Sequence, residues 1–320
     1  MATETHTPGA RSLPRLPLVL TASSAVCLAV ALAVARLGGG ATSAVPGIED
    51  AGRITAWGLP VARTLTDASA VVTIGALLLV VVLLPGGKRL GPAQLRYLTW
   101  AACAAGLWMV SAVLTLVFTL SDLFARPVGE VFSPAVVADF VVTDAQGRAY
   151  ALTACAAALI ATFCLGIGTA RWARGALLVA LAGLLPPAFT GHSSAAGNHD
   201  AAVVSLALHL VGVAVWVGGL LFLLVAVARR EERAADAVRR FSPLAAWALI
   251  GVAASGVVNA AVRLSPGDLV SSGYGLMVLV KALTLAALGS SVPCTAVGRC
   301  RRSARAAGGR SSGSRPGSCC

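Results

Sequence analysis

Three of the four histidines in the chain cluster, at His192, His199 and His209, while His6 sits alone in a polar N-terminal segment. His192 and His199 bracket the sequence Gly191-His192-Ser193-Ser194-Ala195-Ala196-Gly197-Asn198-His199-Asp200, and His209 follows ten residues later inside an apolar run. On a helix rising about 1.5 Å per residue, His209 would lie roughly 12 to 15 Å inward of His199. Imidazole is a good ligand for copper, zinc and iron. An ionisable side chain inside a membrane is costly enough to mark a functional position. Two surface histidines leading to a buried third would make an entry path for a metal ion. The same pattern also suits two ordinary loop histidines and a His209 that hydrogen-bonds between helices, and spacing alone leaves both readings open.

Other side chains could join such a path. Sulfur could come from Met109 or Met277, or from Cys27, Cys103, Cys155 and Cys164, although packing alone accounts for each of these. His209 and Trp216 are seven residues apart and share a helix face. Beyond them Gly218 and Gly219 would let another backbone approach closely, which predicts that this face packs inward. Lys281 follows Tyr274 by seven residues; with Tyr274 at the outer interface it would enter about 10 Å deep, close to the depth of His209. Asn259 and backbone carbonyls are its candidate partners, because no Asp or Glu falls in the middle of an apolar block. That absence also argues against a proton relay built on carboxylates. No phosphate-cradling G-x-x-x-x-G-K-[ST] loop, H-E-x-x-H zinc motif or G-x-S-x-G elbow occurs.

The elements that must hold these residues are membrane helices. Hydrophobic residues make up 57% of the chain and charged residues 12%, against about 25% charged in soluble domains, and mean hydropathy is +0.83. The apolar residues fall into eight blocks, approximately Leu18–Ala35, Ala68–Leu84, Leu98–Leu120, Tyr150–Ala170, Ala176–Phe189, Ala201–Ala228, Leu244–Val262 and Tyr274–Gly289. Most approach the ~20 residues a crossing needs, and none alternates as a barrel strand would. The expected fold is therefore all-α, a polytopic bundle of about eight transmembrane helices. The first block is too long for the apolar core of a signal peptide and reads as a retained helix.

The net charge of +12 would suggest nucleic acid in a soluble protein, but here its distribution carries the information. Lys88, Arg89, Arg96, Arg171, Arg174, Arg229, Arg230, Arg233, Arg239 and Arg240 fall in alternate connecting segments, on the side of both termini. The opposite segments carry most of the acids, including Glu49, Asp50, Asp67, Asp122, Glu130, Asp139 and Asp144. The positive-inside rule then places both termini in the cytoplasm, in a multi-pass protein of the cell membrane with no nucleic-acid role. The same asymmetry supports the short fifth block, Ala176–Phe189, as a true crossing, since without it the arginine-rich loop after the sixth block would face outward.

Along the chain the expected organisation is a cytoplasmic segment at 1–15, a membrane domain at 16–290 and a tail at 291–320. Two long outward loops, Gly38–Asp67 and Ser121–Ala149, interrupt the membrane domain, and the second could form a small cap. The tail is rich in Arg, Ser, Gly and Cys and has nothing to bury, so it is expected to be disordered. Such a composition is also what a shifted reading frame in a GC-rich gene would encode. Cys294, Cys300, Cys319 and Cys320 lack the paired spacing of a zinc site.

Phe241-Ser242-Pro243, Ser255-Gly256-Val257-Val258-Asn259, Tyr274-Gly275-Leu276 and Lys281 together resemble the core of the copper-resistance D (CopD) family. Gly191-His192-Ser193, His199, His209-Leu210 and Trp216-Val217-Gly218-Gly219-Leu220 are similar to the histidine-bearing loop and helix of CopD domains, including those fused to cytochrome c oxidase assembly domains. The resemblance covers about residues 186 to 289. It implies copper handling at the cytoplasmic membrane, as copper import or copper tolerance without enzymatic chemistry. His192, His199 and His209 would be the copper-contacting positions, with Met109 as a further ligand and Trp216, Asn259 and Lys281 along the path or in its packing. A periplasmic or extracellular copper carrier would be the partner. Two other readings stay open: a scaffold for copper-enzyme assembly, and a haem protein, the latter disfavoured because only His209 lies deep in a span.

Overall fold

The structure is a computed structural model; it describes residues 50–84, 86–166, 168–190 and 199–263, and beyond these 267–272, 275–276, 278–280 and 282–283. Every regular element among the described residues is helical. In chain order these are α1 (Gly52–Leu78), which continues as a π-helical turn over Leu79–Leu83, α2 (Pro92–Phe124), α3 (Val128–Val131), α4 (Pro134–Thr143), α5 (Ala145–Gly166), α6 (Ala170–Gly183) with a 3-10 turn at Pro186–Phe189, α7 (His199–Ala228), α8 (Ala234–Arg263) and α9 (Asp268–Ser271). Two compact units divide the chain, Met1–Val252 and Ala253–Cys320. In the second, the described helices are the end of α8 and α9.

Six of these helices are long and apolar enough to cross a membrane: Gly52–Leu83, Pro92–Phe124, Ala145–Gly166, Ala170–Phe189, Ala202–Ala228 and Ala234–Ala261. The first expected span, Leu18–Ala35, lies outside the described residues, as does most of the last, Tyr274–Gly289. The fifth expected span gains length at its start. Its helix opens at Ala170, so Arg171 and Arg174 form a helical turn rather than a loop. The whole segment reaches 20 residues, about the thickness of the hydrocarbon core.

α1 departs most from expectation, beginning at Gly52 where the sequence suggested loop as far as Asp67. Its Thr55, Thr66, Ser69 and Thr73 are buried, and the first two form a hydroxyl seam with α2. Thr55 and Ser121 hydroxyls meet at 2.7 Å and those of Thr66 and Thr115 at 3.2 Å. Ser69 and Thr73 donate to carbonyls one turn back, Leu65 at 2.6 Å and Ser69 at 2.8 Å. In lipid, apolar side chains gain little by leaving a solvent as apolar as themselves, so close packing and such hydrogen bonds carry helix association.

The same logic governs the crossing of α1 and α7. A Cβ on Gly75 would stand 2.3 Å from the Gly218 carbonyl oxygen, and one on Gly218 would stand 2.5 Å from that of Val71. Backbone meets backbone there, as the glycine pair in α7 suggested. Around this crossing lies the main core, in which Ile74, Leu77, Tyr97, Leu98, Trp108 and Ile160 are among the fully buried side chains.

At the basic end, Gln94 settles the carbonyls that the π-turn leaves open. Its amide nitrogen donates to Val80 O at 3.1 Å and Leu84 O at 2.6 Å, and its oxygen accepts from the Gly91 amide at 3.0 Å. The two hairpin loops at this end pair as well. Leu90 N donates to Gly168 O at 3.1 Å and Ala170 N to Lys88 O at 3.2 Å, forming an isolated antiparallel bridge between Arg89 and Thr169.

At the other end, Ser121–Ala149 folds into α3 and α4. Ala125 takes a left-handed turn at φ 51° to stop α2, and Ser133 caps α4 by accepting from Val136 N at 3.2 Å. Val131 and Phe140 then pack on Leu116, Val117 and Leu120 in a second, smaller core.

Candidate metal path

α7 starts at His199 and carries His209 ten residues along the same unbroken helix. The two are therefore about 15 Å apart along the axis and turned by about 80°, whereas a metal–imidazole bond is about 2 Å. One ion cannot be held by both side chains at once. The side chain of His199 and the whole of His192 lie outside the described residues.

His209 is half-buried and shares a face of α7 with the buried Ser205, Gly212 and the partly buried Trp216. Gly212 identifies what this face meets, since a Cβ there would lie 2.8 Å from Val252 Cγ2 and 3.3 Å from Ala248 O of α8. Trp216 packs against the main core. One turn beyond, Gly219 lies under the Phe241 ring, with a Cβ position 2.4 Å from Cε2.

Met109 is a partly buried side chain of α2 packed on the main core, and Cys164 is buried within it. Cys103 and Cys155 are exposed. Among the described residues no group of three or more His, Cys, Asp or Glu comes together to hold a metal. Asn259 is half-buried on α8, one turn from the buried Ser255 in the second unit. Lys281 lies outside the described residues.

The early start of α1 overturns one expectation. Asp67, expected in a loop, lies midway along the 32-residue span Gly52–Leu83, one turn from Arg63 and like it exposed on the helix. A carboxylate therefore does sit within a span. The signal was present in Thr55, Leu59, Ala62, Thr66, Ser69 and Thr73, which recur every three to four residues as buried helix positions. Beside them, Trp108 Nε1 and Thr119 Oγ1 are buried without a hydrogen-bond partner among the described residues.

A second polar cluster fastens the basic end. Glu231 Oε1, just after α7, accepts from Arg96 Nη2 at 2.5 Å and from the Tyr97 hydroxyl at 2.9 Å. Arg229 lies 4.8 Å above the Trp100 ring, and Tyr97, Trp100 and Phe222 meet edge to face.

A helical bundle with this many apolar spans defines a multi-pass membrane protein. Residues 54–201 match the N-terminal domain of copper resistance protein D-like proteins, and residues 235–315 match copper resistance protein D. The chain belongs to the copper-resistance D family. The histidines divide unevenly between the two matches: His192 and His199 fall at the end of the first, whereas His209, Trp216 and the glycine pair lie between them. The second match runs past the eighth apolar block into the arginine-rich tail. The chain is also similar to the copper transport protein CutJ of Bacillus subtilis (strain 168), at 32% identity over 105 residues, which are 31% of this chain and 19% of that protein. The aligned part is thus about a fifth of the relative's length. No solved structure matches.

Proposed function

We propose that this chain passes copper ions across the cytoplasmic membrane, for import or tolerance, with no catalytic step. In this reading His192 and His199 capture the ion at the outer mouth, and His209 receives it within the bundle. The observation that carries the proposal is the placing of His199 and His209 on one helix, too far apart for a shared site, in a chain of a copper-resistance family. The similarity to a protein named for copper transport supports the same choice of cargo. Trp216 would wall the path, with Asn259 and Lys281 further along it. Met109, packed against the main core, is better read as a packing residue than as a ligand. Eight spans with both termini in the cytoplasm, and an outer copper carrier that loads His192 and His199, complete the scheme.

The test is copper uptake into proteoliposomes, paired with metal analysis of the purified protein. The wild type should take up copper, and His209→Ala should lose uptake while keeping its helical content. A triple His192→Ala, His199→Ala, His209→Ala variant should lose bound copper as well. Unchanged copper stoichiometry in that triple variant would sink the proposal. Copper binding without uptake by the wild type would point instead to a scaffold for copper-enzyme assembly.

A further inference from the structure

The basic end holds a cleft that the copper path does not use. It has a volume of about 730 Å³ and is lined by Lys88 and the glycines before it on one loop, and by Thr169, Arg171, Trp172 and Arg174 on the other. That volume falls within the roughly 300–1,000 Å³ of small-molecule sites. The paired loops fix its rim, because the bonds from Leu90 N to Gly168 O and from Ala170 N to Lys88 O hold the two sides in register.

The charge here is all of one sign. No Asp or Glu lines this cleft, and among the described residues none of Lys88, Arg171 and Arg174 forms an ion pair. A neighbouring cleft of about 500 Å³ differs in this respect, since Glu231 and Glu232 line it together with Arg89, Arg230 and Arg233. Three cations around one fixed cavity attract an anion, and arginine favours phosphate oxygens in particular.

The surroundings select the kind of anion. Trp172 is 58% exposed at the rim, with the Arg171 guanidinium 5.2 Å above its ring, as suits an indole at the headgroup level. One turn deeper than Arg174 on α6, Leu178 is 68% exposed. Cations at the rim with an apolar track below them match a phosphate carried on an acyl chain.

We propose that this cleft binds the phosphate of an anionic phospholipid from the leaflet that the basic end meets. Lys88, Arg171 and Arg174 contact the headgroup, and Trp172 and Leu178 line the first part of its chain. The proposal is independent of the copper path.

The full chain in zwitterionic micelles, titrated with phosphatidylglycerol, provides the test, with bound lipid counted by native mass spectrometry. Neutralising the site by Lys88→Gln, Arg171→Gln and Arg174→Gln should weaken binding on the order of a hundredfold. Neutralising three tail arginines, Arg301→Gln, Arg302→Gln and Arg305→Gln, should change it by no more than about twofold. Gly87→Glu has room for a side chain, with nothing within 4 Å of its Cβ position. This single change puts a carboxylate at the rim and should cost about fivefold, so it decides the question if the triple variant fails to fold. Equal losses in the site and tail variants would overturn the proposal in favour of the overall field of the protein. Displacement of the lipid by inorganic phosphate at equal concentration would overturn it in favour of a free-anion site.

Discussion

The two sides of α7 are built for different purposes. The side carrying Ala214 and Gly218 is closed against α1 with no side chain between the backbones at Gly218. The side carrying Ser205, His209, Gly212 and Trp216 meets α8 at Gly212, first through the Val252 side chain and less closely through the Ala248 carbonyl, and His209 on it stays half-buried. A backbone contact cannot adjust by changing a rotamer, whereas a side-chain contact can. One face of the helix thus fixes its position, and the other leaves half-buried the imidazole that the proposed copper path would use.

The sharpest way to break this contrast is Gly218→Val. The new side chain would be driven into the Val71 carbonyl, and overpacking of this kind costs about 1–3 kcal/mol or more. Loss of monodisperse protein, or a large fall in thermal midpoint in detergent, is the expected result. His209→Ala should act in the opposite way, lowering copper uptake by about tenfold or more, equivalent to roughly 1.4 kcal/mol, while the melting midpoint stays near that of the wild type. Parallel uptake and melting measurements separate the two kinds of effect. Gly212→Ala meets Val252 Cγ2 at 2.8 Å and the Ala248 carbonyl oxygen at 3.3 Å, a milder clash than that at Gly218, so its cost should be about 1 kcal/mol, the low end for overpacking. A Gly212→Ala protein as damaged as Gly218→Val would show the two faces to be equally rigid. The smallest effect is expected from Thr66→Val, which removes a seam hydroxyl bonded to Thr115 and to Ala62 O. Membrane hydrogen bonds average about 0.6 kcal/mol, so denaturation should detect a slight loss and uptake should not change.

Hydropathy located the apolar blocks because lipid demands length and low charge, and both can be read residue by residue. It misjudged α1 because Thr55, Arg63, Thr66 and Asp67 lower the average, although the threonines are satisfied, Thr66 by the carbonyl of Ala62 at 2.8 Å and Thr55 by the Ser121 hydroxyl at 2.7 Å. A polar residue that carries its own acceptor costs little in a membrane, and no composition window registers that. The position of Asp67 within the span was missed because an acid one turn from Arg63 reads as loop. The glycine pair in α7 was legible as a point of close approach, since only close packing explains adjacent glycines in a long apolar helix. Which helices approach was not, because Gly218 meets α1 and Gly219 meets α8, and the choice depends on the turn of the helix rather than on residue type. The His199 to His209 spacing was legible as a depth. That it excludes a shared ion follows only once both residues lie on one unbroken helix.

The pairing of the two hairpin loops at the basic end has a mechanical consequence. Lys88 to Leu90 is bonded to Gly168 to Ala170, so the α1–α2 pair and the α5–α6 pair are bound along one edge like the leaves of a book. Sliding of one pair along the other must first break those two bonds, so the spine sets their register while Val131 and Phe140 close the opposite end.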